Sequence, residues 1–548
     1  MKVLVIFLII ISIQEVNTYA QQSFRFYINN INMPIDNKGI LADVHIPDPD
    51  PVISGSLAKY DGIGFLFSGG FLLSGYHDGV LWANGVATSV LLRNYQAGIV
   101  GSEPSSPENI IYVVSADDPP FGQSWQNWKN AVALGADFYD GDGDGIYNPV
   151  DINENGTWDI NEDMPLMLGD QTVWYVYNDG IPADQRRWPI EPKQIEVAQT
   201  IFATNKPGFE DVIFLRYKIT NKSSDLYDSV YFSFFSDPDL GDHNDDLSGA
   251  DTILNSRFVY NSDSDAWFGD APPSFFKTLL QGPIVESESI SDTAYIKLGK
   301  QFDIKTFASK QNLGLASCQT FATVNIEVNG PGSPNALRNY VKGLTSSGYV
   351  LDPCTFFMGS VLGGVDCNEI NHRFWYSGDP VSEHGWVQTT PFDIELMLNT
   401  GPFDLKPNEP QELLFAFVIG QGDDAINSIT VGRQNVRKMI DAYNNNFDAL
   451  KYTAPPATNP VTAYTLYQNY PNPFNPNTTI KIEMPESGII SLKVFDTLGR
   501  EVKTILNEYR NADRYNIEFD ASGLASGVYF YQVVVNDFIQ TKKMLLVK

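Results

Sequence analysis

A chain of 548 residues, 43% hydrophobic and 13% aromatic, has material for about three or four packed domains at ~150 residues each, which excludes a globally disordered protein. Its net charge of -30 speaks against nucleic acid and against anionic membrane surfaces, both of which require clustered cations. The excess sits in the body, because residues 464–548 hold nine basic and nine acidic side chains.

Residues 1–20 combine Lys2, an apolar run from Val3 to Ile13 and the small residues Thr18 and Ala20, the pattern of a secretory signal peptide. No later stretch reaches the roughly 18 uninterrupted apolar residues of a spanning helix, so no transmembrane segment is expected. Residues 21–190 are expected to form an N-terminal β domain that includes the strand TVWYVYN (172–178). A break near RRWPIEPK (186–193) leads into a β-sandwich body over 191–450. There VIFLRYKITN (212–221), DSVYFSFFS (228–236) and ELLFAFVIG (412–420) are short, β-branched, aromatic and bounded by turn residues. One helix is predicted over 428–447, capped by Ser428, with Val436, Met439, Ile440, Tyr443 and Phe447 forming its apolar stripe. A proline-rich linker, 451–463, precedes a small sandwich at 464–548. The fold class is mainly β: a multidomain β-sandwich body with calcium-type acidic loops and a C-terminal Ig-like sandwich. Of three cysteines, Cys354 and Cys367 can pair in an oxidising compartment and leave Cys318 free, and at least one is expected to be an ordinary buried thiol.

From Asp137 to Asp170 the chain carries ten carboxylates and no Lys or Arg. Two unit charges 4 Å apart repel by about 4 kcal/mol at an effective dielectric near 20, so such a stretch needs a counter-charge in order to fold. An EF-hand-type loop places oxygen ligands at positions 1, 3, 5, 7, 9 and 12 and Gly at 6. Counting from Asp151 fills every position: Asp151, Asn153, Asn155, Gly156, the Thr157 carbonyl, Asp159 and Glu162. Counting from Asp140 gives Asp140, Asp142, Asp144, Gly145, the Ile146 carbonyl, Asn148 and Asp151, a weaker fit with a short Asp at position 12. Sharing of Asp151 between the frames resembles the calcium loops of thrombospondin type 3 and dockerin-like segments. Hard oxygen ligands without His or Cys point to structural Ca²⁺. No clear helix precedes Asp140, so the loops are expected on a β scaffold. A second acidic knot, SDPDLGDHNDDLSGAD (236–251), fits no loop template, and the sequence leaves open whether it binds a metal.

The motifs of several enzyme classes are missing. No G-x-S-x-G, H-E-x-x-H or P-loop occurs, and His45, His77, His243, His372 and His384 are scattered without ligand spacing. A glycosidase needs only two carboxylates at a suitable separation, and Trp375, Tyr376 and Trp386 could supply a sugar-stacking platform or, more commonly, sandwich core.

The tail opens YTLYQNYPNPFNPNTTIKIEM, continues SLKVFDTLGREVKTI and FDASGLASGVYFYQVVV, and ends TKKMLLVK. These four phrases resemble the C-terminal sorting domain of type IX secretion cargo from Bacteroidetes-type bacteria. The resemblance implies a seven-stranded Ig-like sandwich read by the outer-membrane export machine. It also implies removal by a sortase that attaches the cargo to surface lipopolysaccharide. By resemblance, Gly527, Val528, Tyr529 and Lys542-Lys543-Met544 belong to the recognised signal. Segments such as PLMLGDQTVWYVYND and GPFDLKPNEPQELLFAFVIGQGDD resemble recurrent stretches in the bodies of other type IX cargo, a group that supplies no activity. The expectation is a noncatalytic surface or secreted scaffold for adhesion, ligand binding or assembly, with a carbohydrate-active hydrolase using a carboxylate pair as the alternative.

Overall fold

The computed structural model describes residues 22–48, 54–87, 93–302, 304–322, 330–453, 461, 463–486, 488–510, 513–536 and 538–548. The expected signal peptide and most of the 451–463 linker lie outside them. Two compact units emerge. One takes most of the chain up to Tyr452; the other gathers Asp117–Gln126, Asp140–Met164 and the tail from Thr453.

The body is a sandwich of two antiparallel sheets. In the first, Tyr227–Asp237 lies between Ser68–His77 and Glu395–Leu405, and Leu315–Phe321 closes one edge. In the second, Val212–Asn221 lies between Ile195–Ala203 and Gln411–Gly420, with Gln171–Asn178 beyond the former and Ser274–Gln281 beyond the latter. Alternate residues of both sheets face a common core, where Phe232 stacks on Phe71 at 5.5 Å and on Phe415 at 5.4 Å.

No sheet boundary falls at residue 190. Gln171–Asn178 pairs in register with Ile195–Ala203, and Ser68–His77 pairs with Tyr227–Asp237, so strands from both sides of residue 190 share one sandwich. The proline- and arginine-rich stretch between them is a connection stapled by buried Asp179. Its carboxylate accepts N–H groups from Lys193 at 2.7 Å and Ile195 at 2.9 Å, and its carbonyl accepts from Arg186.

Three α-helices are present among the described residues: α1 (Gln123–Ala133), α2 (Pro334–Tyr340) and α3 (Ala425–Asn444). α3 begins earlier than its stripe suggests, because Asp424 is the cap and its side chain accepts the Asn427 N–H. Ser428 instead sits buried in the first turn, donating to the Asp424 carbonyl at 3.0 Å. Phe447 lies beyond the helix in the left-handed region and packs edge-on against Phe202 and Phe214. Cys354 and Cys367 are disulfide-bonded and Cys318 is a buried free thiol.

Among the described residues the tail is a seven-stranded sandwich. Thr465–Leu466, Asn477–Met484 and Asp513–Asp520 form one sheet; Glu501–Arg510, Gly488–Phe495, Gly527–Val535 and Phe538–Leu546 form the other. Leu492, Val494 and Phe495 lie in the second half of the strand Gly488–Phe495. Ile480, Ile482, Leu492, Val494, Tyr531 and Val533 fill the core between the sheets. The Tyr531 hydroxyl donates to the Tyr467 carbonyl and accepts the Asn469 N–H, both at 2.8 Å, locking the lead-in onto the core. Among the described residues no helix is long and apolar enough to cross a membrane, which says nothing of strands.

Candidate metal loops

The ten carboxylates divide by position. Asp137 pairs with Arg216 at 3.2 Å and Lys218 at 3.8 Å, and Asp170 accepts from the Thr204 hydroxyl and the Asn205 N–H, so both ends of the run serve the body. The eight between them belong to two successive loops.

In the loop beginning at Asp151, the carboxylate at position 1 accepts the N–H groups of Asn155 at 3.0 Å and Gly156 at 2.7 Å. Asn153 Oδ1 accepts from Asn155 N, and Asn155 Oδ1 from Thr157 N. Gly156 takes a φ of 76°, the left-handed value that the sixth position demands. Glu162, buried, closes the loop by accepting Ile152 N at 2.7 Å and Asp159 N at 2.8 Å, the amides of positions 2 and 9. The Asn153 and Asn155 amide groups donate to Asp159 Oδ2.

The loop beginning at Asp140 repeats this wiring. Asp140 accepts from Gly143, Asp144 and Gly145 N–H groups, Asp142 from Asp144 N, and Asp144 from Ile146 N. Gly145 has a φ of 78°. The amides of positions 2 and 9, Gly141 and Asn148, go at 2.9 and 2.6 Å to Asp163 and not to Asp151. Among the described residues Asp151 accepts amides of its own loop, and the adjacent pair Glu162-Asp163 closes positions 2 and 9 of both loops. A side chain at Gly141 would strike the Glu162 backbone at 2.3 Å, which is why this position is glycine. Burial pushes the Asp163 carboxyl above its ordinary range; the two amides pull it back, and the charges of Asp142 and Asp140 raise it further.

Oxygen atoms of Asp140, Asp142 and Asp144 lie within 4.8 Å of one another. Asp151, Asp159 and Glu162 make no such group among the described residues. A helix does precede the first loop, contrary to expectation. Tyr147 donates its hydroxyl to the Trp125 carbonyl of α1 at 3.1 Å, and Gln126 of α1 donates to the Pro149 carbonyl at 3.0 Å.

The second knot disperses. Asp251 pairs with Arg433 at 3.1 Å, Asp242 accepts from its neighbour Asn244, and Asp245 accepts from Asn261. Asp237 and Asp239 instead meet Asp393 from a distant segment. The supposed sugar platform is core: Trp375, Tyr376 and Trp386 are at most 1% exposed. A cavity of about 670 Å³ lined by Lys305, Lys310, Lys406 and several acids holds no tryptophan, and two of its acids are paired, Glu286 with Lys310 and Glu409 with Lys406.

In the tail, the two parts of the expected export signal are neighbours in one sheet, with Val528 opposite Leu545 and Tyr529 opposite Met544. Residues 468–548 match the family of secretion system C-terminal sorting domains. The protein is a type IX secretion cargo, carried through the periplasm to the cell surface or beyond, and its tail engages that secretion machinery. No curated protein matches the chain. Among solved structures, a polysaccharide lyase aligns at 9% identity and a TM-score of 0.26, covering 94% of this chain and 47% of its own. Dimeric latent PorU from Porphyromonas gingivalis aligns at 10% identity and 0.14, covering 69% and 31%. The chain thus spans less than half the length of either, and at these values the likeness carries no argument.

Proposed function

We propose that the protein is a noncatalytic scaffold of the cell surface or medium, its acidic segment held by structural Ca²⁺ and its sheets offering a platform for adhesion, ligand binding or assembly. One observation carries the reading: two consecutive loops have the same wiring, in which Asp or Asn side chains at positions 1, 3 and 5 accept backbone amides and a buried carboxylate closes positions 2 and 9. Oxygen-bearing side chains at these loop positions are the ligand pattern a hard cation uses. Asp140, Asp142, Asp144 and Asn148 with the Ile146 carbonyl would hold one ion; Asp151, Asn153, Asn155, Asp159 and Glu162 with the Thr157 carbonyl would hold the other. Sortase removal of the tail and attachment to surface lipopolysaccharide belong to the same reading. The test is thermal unfolding with Ca²⁺ against chelator. Ligand at 100-fold its dissociation constant stabilises by about 2.7 kcal/mol per site, and extracellular loops bind at around 10⁻⁴ to 10⁻³ M, so the titration must run well into the millimolar range. Identical melting in both conditions defeats the reading.

A further inference from the structure

A pocket of about 430 Å³ opens where the segment 27–32, the turn 60–62 and Gln421 meet, all within the body. Its volume lies in the range of small-ligand sites, roughly 300–1,000 Å³. The walls are pinned from behind. Asn30 donates its backbone N–H to the Glu210 carbonyl at 3.0 Å and its side-chain amide to Asp211 Oδ1 at 2.8 Å, and Asp211 also holds the Tyr60 hydroxyl. Buried Asn29 donates to the Val212 carbonyl at 2.8 Å, and Gln421 donates to the Ala271 carbonyl at 2.9 Å. Such anchoring fixes the polar groups before a ligand arrives.

What these bonds leave over is chemically one-sided. Asn30 Oδ1, Gln421 Oε1 and the Asp61 carboxylate accept no hydrogen bond from a described residue. Tyr27, also on the wall, is 53% exposed, and its hydroxyl makes no hydrogen bond with a described residue. A surplus of acceptors suits a ligand rich in O–H groups, and an exposed aromatic ring suits one that also presents C–H faces. Of the described residues lining the pocket, Asp61 alone is charged, so nothing there attracts an anion. A hard cation would take several carboxylates, and Asp211 is already committed to Asn30 and Tyr60. Glycosidic cleavage needs two carboxylates, and only Asp61 remains for it.

We propose that this pocket is a noncatalytic site for a neutral polyhydroxylated ligand, a short run of glycan, whose hydroxyls donate to Asp61, Asn30 and Gln421 while the Tyr27 ring covers one sugar face. The site gives the platform of the proposed function a ligand class and rests on that part of the reading alone; bound cations play no role in it.

Affinity electrophoresis of the full chain through gels containing starch, β-glucan, xylan or mannan tests it, with polygalacturonate as the anionic contrast. Wild type should be retarded by at least one of the neutral polymers and not by polygalacturonate. Tyr27→Ala and Asp61→Gly should each raise the dissociation constant for that polymer at least tenfold. Both substitutions spare the fold, because Tyr27 is exposed just beyond the strand Ser23–Phe26 and glycine accepts the φ of 49° at position 61. The loop variant Asp144→Ala/Asp159→Ala should bind as wild type does, so failure of the cation reading leaves this one standing. No retardation by any neutral polymer, retardation by polygalacturonate alone, or equal affinity in wild type and both pocket variants overturns the proposal.

Discussion

Asp163→Ala tests how the first acidic loop is closed. The carboxylate is buried and is the acceptor for Gly141 N at 2.9 Å and Asn148 N at 2.6 Å. Leaving a buried donor unsatisfied costs about 1–3 kcal/mol each. Water reaches these half-exposed amides, and the variant escapes the burial that raises the carboxyl's own pKa, so a net loss of about 2–3 kcal/mol of local stability is expected. At 1.4 kcal/mol per decade this is roughly a 30- to 150-fold loss of amide protection. Hydrogen exchange read by mass spectrometry, in millimolar Ca²⁺, should show the loss in peptides spanning 140–150. Asp151→Ala should spare those peptides and deprotect Asn155 and Gly156, whose amides its carboxylate holds. If Asp151→Ala deprotects 140–150 as strongly as Asp163→Ala does, or Asp163→Ala leaves them untouched, the closing-pair reasoning is wrong.

Deleting residues 464–548 should leave the protein in the periplasm; surface display without them would contradict the sorting role. Tyr531→Phe removes the hydroxyl that bridges Tyr467 and Asn469 and should destabilise the isolated tail by about 1–2 kcal/mol in urea unfolding. Among the described residues, buried Lys277 has only Ser236 as hydrogen-bond partner, and burial, then Arg257, hold its ammonium well below its ordinary 10.5. A cation depressed in the fold binds fewer protons there than in the unfolded chain, so the penalty is present below the unfolded value and relieved as pH rises toward it. Wild-type stability should therefore gain from neutral pH toward 10.5, and Lys277→Met should melt higher at pH 7 and flatten that gain. Reducing Cys354–Cys367, which are 13 residues apart, should cost about 3 kcal/mol on the chain-entropy account, read as earlier proteolysis of that loop.

Much of the scaffold is legible in the residues themselves. Strands such as Val212–Asn221 and Gln411–Gly420 announce themselves through β-branched and aromatic runs, and the stripe of α3 marks its buried face. α1 hides because QSWQNWKNAVA is polar on average; its signal is Trp125, Trp128 and Ala131, fully buried at three-residue spacing. Interleaving across residue 190 is invisible because it depends on pairing between distant strands, which local pattern does not encode. The same limit governs the sites. A twelve-residue template finds Asp140 through Glu162, yet Asp163 acts 22 residues beyond Gly141, and Asp393 joins Asp237 from a distant segment. The tail is legible for the opposite reason: its signal is a run of contiguous phrases, and the fold brings two of them side by side.

Terbium luminescence tests the cation-held acidic segment most directly. Tb³⁺ occupies calcium sites and emits when a nearby indole is excited, and Trp158 lies within the second loop with its Nε1 donating to the Glu162 carbonyl at 2.8 Å. Wild type should show sensitised emission that millimolar Ca²⁺ displaces, and Trp158→Phe should lose more than half of it. Emission that is absent, indifferent to Ca²⁺ or unchanged in Trp158→Phe would mean that these loops hold no ion.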